Sequence, residues 1–581
     1  MPTLNWIGKD KVVKHHHDVP FRVLNHQYTF PNTQGEDSIS ENKIIHGDNL
    51  EALKALLPYY EGKIKCIYID PPYNTGNEGW VYNDNVNDPK IKKWLGKVVG
   101  KEAEDLTRHD KWLCMMYPRL KLLHKLLAPD GAIFVSIDDN EVFHLKLMMD
   151  EIWGDNNSIG PIIQNKMNAK NDTINIQKNH EYILVYRKRN IISNGLKNSS
   201  TLINYDYSTK DIFEENEKFY FINDSITTRG EGGVLNARPN LGYTVYFHPE
   251  TKDKIAICDY DIELAKVSND ITQIYSTDSN LITQGYYPIR PPKVRGKLGC
   301  WTWSLEKFNS QSNDIIITGK KDSYAVKKRT FVSKEGVFEL NGKLFFNAFS
   351  ESNSRSILDF STNDGTNILN MIMNTPNTFD NPKNVGMLEY LIKLIPDKDF
   401  IILDSFAGSG TTAQAILNLN KADGGNRKFI LVEMEDYAET ITAERVKRVI
   451  NGYGNVEGTG GDFNYYELGE SLFDEDRNLN ENLPVATLRD YIWYVETKDS
   501  LPTETSEFHQ QPYFLDKYQE TAYFFIYEKE HITTLDYDFL EHVNIQAEQY
   551  VMYADNCTLS EAFRREKHII FKKIPRDISR F

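Results

Sequence analysis

Asp70, Pro71, Pro72 and Tyr73 follow the apolar run "CIYI" directly, and that order suits a socket for a planar ring bearing an amine. Two consecutive prolines have no N–H to donate and hold the backbone extended, so neighbouring carbonyls stay free to accept hydrogen bonds. An exocyclic NH2 needs one acceptor for each proton. Asp70 and the Pro71 carbonyl would supply the two, and Tyr73 would offer a flat face for the ring. A rigid turn closing a strand, with a packed tyrosine, would use the same residues without chemistry.

A second constellation lies far downstream, in "DSFAGSGTT" from Asp404 to Thr412. Between a strand and a helix, exposed backbone N–H groups and the helix dipole favour a polar or anionic ligand. Gly408 and Gly410 would let that ligand approach the backbone, with Phe406, Ala407, Ser409 and Thr411 completing the loop. The spacing lacks the third glycine of the dinucleotide fingerprint. Glu433 lies at the end of the next strand signal, 23 positions after Gly410, where an acid would bond two ribose hydroxyls. A nucleoside without a pyrophosphate is the natural ligand, S-adenosylmethionine the obvious one; an ordinary glycine turn is the alternative. "IIHGDNLEAL" repeats the strand, Gly-Asp, helix arrangement, so Asp48 is expected to bond the cofactor's adenine amine, to cap the following helix, or both. His15, His16 and His17 are adjacent and point different ways, so no metal site is expected there.

These motifs must be held by a sheet. "KIIH", "KIKCIYID", "GAIFVSID" and "EYILVYRK" alternate with helical patterns, and "DFIILD" and "KFILVE" resume the alternation after residue 384. Strands separated by helices predict an α/β fold with a doubly wound, mostly parallel sheet. Residues 1–40 read as an arm. Residues 41–190 and 376–455 read as the two halves of one catalytic domain, split by an insert over 191–375 that is rich in Asn, Ser, Thr and Tyr. Residues 456–581 read as a small C-terminal domain.

The 581-residue chain has five scattered cysteines and no Cys-x-x-Cys pair, which argues against disulfides and thiolate zinc sites. The N-terminus has no apolar run of the signal-peptide kind, and no stretch is apolar enough for a membrane span, so a cytoplasmic protein is expected. The net charge of −16 is unusual for a nucleic-acid binder, but its distribution is uneven. Between Arg290 and Thr330 ten basic residues face three acids, so that stretch can hold a polyanion. Arg290, Lys293, Arg295, Lys297, Lys327, Lys328 and Arg329 are the expected phosphate contacts. "GKLGCWTWS", from Gly296, interleaves basic and aromatic residues as nucleic-acid surfaces do, or is a tryptophan core strand.

An Asp-Pro-Pro-Tyr block ahead of a variable insert, with a Phe-x-Gly-x-Gly loop after it, resembles the β class of DNA amino-methyltransferases. "WIGKD", "GDNLEALKAL", "IKCIYIDPPYNTG", "SIDDNE", "GCWTWS" and "LDSFAGSGTTAQA" resemble the modification (Mod) subunits of type III restriction–modification systems. The resemblance implies a circularly permuted, Rossmann-like methyltransferase fold with an inserted α+β target-recognition domain. It implies transfer of a methyl group from S-adenosylmethionine to the N6 amine of a flipped adenine in double-stranded DNA. Asp70, Pro71, Pro72 and Tyr73 match the catalytic motif. Asp404, Phe406, Gly408 and Gly410 match the cofactor loop, Glu433 the ribose acid, Asp48 the adenine-side acid, and Lys383 the segment before the first strand of the second half. A homodimer and a restriction subunit with helicase and nuclease activity are the implied partners. Cytosine N4, another planar amine or amide, or a specificity subunit that chiefly docks a restriction partner are the competing readings.

Overall fold

The computed structural model describes residues 3–31, 40–75, 108–167, 176–189, 202, 204–228, 230–321, 323–340, 342–474, 476–502 and 512–576. The chain forms two compact units, one of residues Met1–Asn204 with Ser352–Phe581, the other of Tyr205–Glu351.

The first unit is built on a ten-stranded sheet. In chain order its strands are β1 (Arg22–Phe30), β2 (Lys43–His46), β3 (Ile64–Ile69), β4 (Leu127–Ile137), β5 (Ser158–Asn165), β6 (His180–Arg187), β7 (Ile357–Asp359), β8 (Ile401–Asp404), β9 (Lys428–Glu433) and β10 (Phe463–Ser471). They lie in the order β1-β10-β2-β9-β8-β3-β4-β6-β5-β7. The run from β10 to β4 is parallel throughout, as is the pair β5–β7. β1 and β6 run antiparallel to their neighbours.

The parallel strands are apolar on both faces because helices cover both. Ile67 and Ile69 of β3 and Val135 of β4 pack beneath α1 (Asn49–Tyr60), α2 (Arg108–Leu126) and α3 (Val142–Trp153). Cys66, Tyr68 and Phe134, alternating with them, pack beneath α4 (Val385–Lys393), α5 (Thr411–Asp423) and α6 (Glu444–Asn451). From β8 the chain crosses through α5 to β9 on one side. From β3 it runs toward β4, its neighbour on the other side. The crevice at the carboxyl ends of β3 and β8 is therefore the topological switch point, where ligands bind in open α/β sheets.

The structure redraws several expected boundaries. Residues 22–30 are not an arm but an edge strand paired with β10, and Val12 and Val19 ahead of it are fully or almost fully buried in the core. β10 itself, expected in the C-terminal domain, lies between β1 and β2 in the main sheet. "EYILVYRK" forms an antiparallel strand rather than a parallel one, as a sheet permits when no helix need cross between neighbours. Residues 352–375, expected in the insert, belong to the first unit through β7 and the helix Thr362–Met373. The expected boundary at 190/191 lies outside the described residues. After β10 a helix (Val485–Thr497) packs on a four-stranded sheet of Phe514–Tyr518, Thr521–Phe525, Gln549–Ala554 and Ile569–Lys573.

Among the described residues the second unit carries three small sheets of three, four and three strands, the first two antiparallel throughout. Its core gathers Tyr243, Trp301, Trp303 and Phe308. Trp301 is 1% exposed and its indole N–H donates to the Tyr243 carbonyl at 2.7 Å. "GCWTWS" is thus core, and its tryptophans are no stacking platform for bases.

Candidate active site

Asp70 ends the path of β3 and Asp404 ends β8, so the parallel pairing sets the two acids side by side at the switch point. One pocket joins the motifs that the sequence separates. Asp70, Lys383, Asp404, Phe406, Gly408 and Phe379 are among its walls.

Asp70 is 6% exposed. Its Oδ1 is buried without an aligned hydrogen bond, although Lys383 Nζ stands 3.2 Å away. Burial raises its carboxyl above the usual range, and Lys383 only partly opposes that. No donor among the described residues is bonded to the Pro71 carbonyl, while the Pro72 carbonyl accepts from Trp112 Nε1 at 2.6 Å, which fixes the proline pair against α2. Acceptors at Asp70 Oδ1 and Pro71 O are what an incoming amine requires.

Glu181, on β6, accepts from the Tyr73 hydroxyl at 3.0 Å and pairs with Lys383 at 2.9 Å and Lys166 at 2.6 Å. Burial alone would raise Glu181, but the two lysines outweigh it and bring it down to about 2. Lys383 is correspondingly held charged, since Asp70 and Glu181 overcome the effect of its burial. Lys383, the cofactor-binding candidate ahead of the first strand of the second half, lines the same pocket as the loop, and its ammonium sits 4.7 Å over the Tyr73 ring and beside Asp70.

On the loop side, Asp404 accepts from the Phe406 N–H at 3.1 Å and from Thr412 Oγ1 at 2.5 Å. Glu433 Oε2 accepts from the Gly408 N–H at 2.7 Å, and Oε1 from the Met434 and Glu435 N–H groups at 2.9 and 3.0 Å. Burial raises both carboxyls to about 7. Gly408 (φ 52°) and Gly410 (φ 80°) are left-handed. A Cβ on Gly408 would meet the Phe379 ring at 3.2 Å, and one on Gly410 the Thr442 carbonyl at 3.1 Å.

Ser409 and Thr411 line the same pocket, and their hydroxyls each accept from Arg445 Nη1 at 2.7 Å, while the same guanidinium donates to Gln414 Oε1 at 2.8 and 3.0 Å. Arg445, on α6 and wholly buried, is the clamp that shapes the loop. Asp48 caps α1, its Oδ1 accepting from Leu50 and Glu51 N–H at 2.8 and 3.3 Å. Its Oδ2 receives no donor among the described residues, and it neighbours Glu433 through the Gly47 N–H bond to the Glu433 carbonyl.

The expected phosphate contacts divide. Lys293, Arg295 and Lys297 are exposed on one turn closed by the Val294–Lys297 bridge. Arg290 is half-buried, stacked 4.4 Å over Tyr275 and bonded to Thr277 at 2.7 Å. Lys327 and Lys328 sit on the strand Ala325–Val332 opposite Ile316 and Ile315, so they point to opposite faces. Arg329 is half-buried and already engaged: it donates to the Asn313 carbonyl at 2.6 and 3.0 Å, pairs with Glu215 and is 13% exposed. In the histidine triplet, burial takes His16 down to about 3.

Comparison with known proteins points the same way. The profile of the N6/N4 DNA methylase family matches residues 64–444. The EcoPI Mod subunit of a type III restriction–modification enzyme, from Escherichia phage P1, is 31% identical over 453 residues, 75% of this chain and 64% of that protein. The StyLTI Mod subunit from Salmonella typhimurium is 31% identical over 78% of this chain and 61% of its own length. The type II methyltransferase M.KpnI from Klebsiella pneumoniae is 32% identical over 68% of this chain and 81% of its own length. The chain thus spans under two thirds of those Mod subunits. With the family match running unbroken from β3 through the pocket to α6, the chain belongs to the N6/N4 DNA methylase family.

Proposed function

We propose that this protein transfers a methyl group from S-adenosylmethionine to the N6 amine of an adenine flipped out of duplex DNA, as the modification and specificity subunit of a type III restriction–modification system. The observation that carries it is the single pocket in which Asp70 faces the Asp404–Gly410 loop. The Mod relatives, named as subunits of restriction–modification enzymes, support the subunit role and a restriction partner.

The residues suit the cofactor. Glu433 and Asp48 Oδ2 would take ribose hydroxyls and the adenine amine, and the left-handed glycines leave room where a Cβ would intrude. When bound, S-adenosylmethionine supplies an electrophilic methyl on a positively charged sulfur. Asp70 and the Pro71 carbonyl hold the target amine and draw its lone pair out of the ring, aiming the nitrogen. The proton that the amine sheds passes to Asp70, whose burial makes it a better base than an exposed carboxylate. Flipping costs about a few kcal/mol, recovered by stacking on Tyr73.

Asp404 and Glu433, both near 7 when empty, give a pH signature. A cationic ligand that also donates hydroxyls favours their ionised forms and lowers both pKa values. Binding should release protons near pH 7 and tighten as pH rises through it. Calorimetry in two buffers of different ionisation heat should give different apparent enthalpies; equal values would refute the assignment of these acids.

The second unit is assigned the choice of DNA sequence, with the turn at Lys293, Arg295 and Lys297 on phosphates. Changing all three to alanine should weaken binding to every duplex alike and flatten log K against log salt by up to about three units. A loss confined to the cognate site would mean that they read bases. Digestion of DNA from cells expressing the protein, followed by nucleoside mass spectrometry, should yield N6-methyladenine. N4-methylcytosine alone would shift the reading to the other amine the family serves.

A further inference from the structure

Beside the segment that carries Tyr73, Glu141 and His144, one helical turn apart, converge with His109 on one point. Glu141, immediately before α3, has a fully buried carboxylate. One oxygen lies 2.6 Å from His109 Nδ1, on the first turn of α2, and the other 2.8 Å from His144 Nδ1, on the first turn of α3. The Asn74 side-chain amide donates to the same carboxylate. Among the described residues no lysine or arginine pairs with Glu141. A carboxylate shut away from water is costly unless a cation neutralises it, and neutral imidazoles give hydrogen bonds without charge.

We propose that Glu141, His109 and His144 form a binding site for one divalent transition ion of the Zn2+ kind. Two imidazoles and a carboxylate are a common donor set for Zn2+ and Fe2+. The donor atoms all lie within 4.8 Å of one another. On a tetrahedral ion with bonds of about 2.1 Å, neighbouring ligands stand about 3.4 Å apart, so the 2.6 and 2.8 Å contacts must open by somewhat under about 1 Å, which a turn of the rings can supply. Those rings can turn, being 38% and 36% exposed, and their open side gives the ion its path and leaves positions for water. The carboxylate supplies charge and the imidazoles fix the geometry. Asn74 follows Tyr73 directly, is left-handed at φ 57°, and stays bonded to Glu141. The ion therefore ties the segment that carries Tyr73 to the first turns of α2 and α3. It takes no part in the transfer.

The test uses the untagged full chain, stripped with a chelator and reloaded with Zn2+ or Co2+ alone. One ion should be retained per chain through gel filtration, Co2+ should develop visible d–d bands, and the thermal midpoint should rise with Zn2+ concentration. His109→Gln and His144→Gln, at half-exposed positions that tolerate exchange, should each weaken affinity by more than about a hundredfold, since losing a ligand costs more than losing a ligand's hydrogen-bonded support. A chain that retains no ion would overturn the proposal and leave the three as a hydrogen-bonded triad. Equal retention by wild type and both variants would overturn it too, placing the ion elsewhere.

Discussion

Asp70→Ala should bind duplex DNA nearly as well as wild type and transfer methyl groups at least about a hundredfold more slowly. Each lost hydrogen bond to a charged group is worth roughly 1.5–3 kcal/mol, or about one to two decades in rate, and loss of the base adds to that. Duplex affinity should survive because the expected phosphate contacts lie in the second unit. Tyr73→Phe is the informative companion. The ring remains, so stacking should remain, but the Tyr73 hydroxyl also serves Glu181 and Lys383. Its removal leaves buried partners unsatisfied at a cost of about 1–3 kcal/mol. A lowered thermal midpoint with moderate loss of rate is expected, whereas Tyr73→Ala should suppress base flipping, followed by 2-aminopurine fluorescence. Single-turnover assays decide the matter: near wild-type transfer by Asp70→Ala would refute the socket.

What the sequence disclosed and what it hid divide along physical lines. The strands around the two motifs were legible because parallel strands buried on both faces read as unbroken apolar runs. β1 was not, because an edge strand half-exposed along its length shows no clear alternation and its partner β10 comes near the other end of the chain. Asp70 and the glycine loop were legible because chemistry dictates their residue types. Arg445 was not. An arginine in "AERVKRVI" looks like solvated charge, and only folding sets it behind Ser409. The same limit explains Arg329, which a count of local charge assigns to phosphates although the fold already engages it with Glu215 and the Asn313 carbonyl.

The loop supplies the second large effect, at Gly408 rather than Gly410. Gly408→Asp should abolish cofactor binding with the fold intact. Gly408 lines the pocket, and its N–H holds Glu433. A side chain there starts 3.2 Å from the Phe379 ring and brings a carboxylate toward one already buried and raised to about 7. Two acids crowded in a dry site disfavour each other's ionisation, and the ribose loses its partner. Gly410 is left-handed as well, but its Cβ would meet the Thr442 carbonyl, away from the ligand. Gly410→Ala should therefore act through backbone strain of roughly 1–2 kcal/mol, weakening binding by about one decade and lowering the thermal midpoint. Titration calorimetry separates the two, with circular dichroism confirming the fold. If Gly408→Asp binds S-adenosylmethionine with wild-type affinity, the cofactor does not lie along this loop.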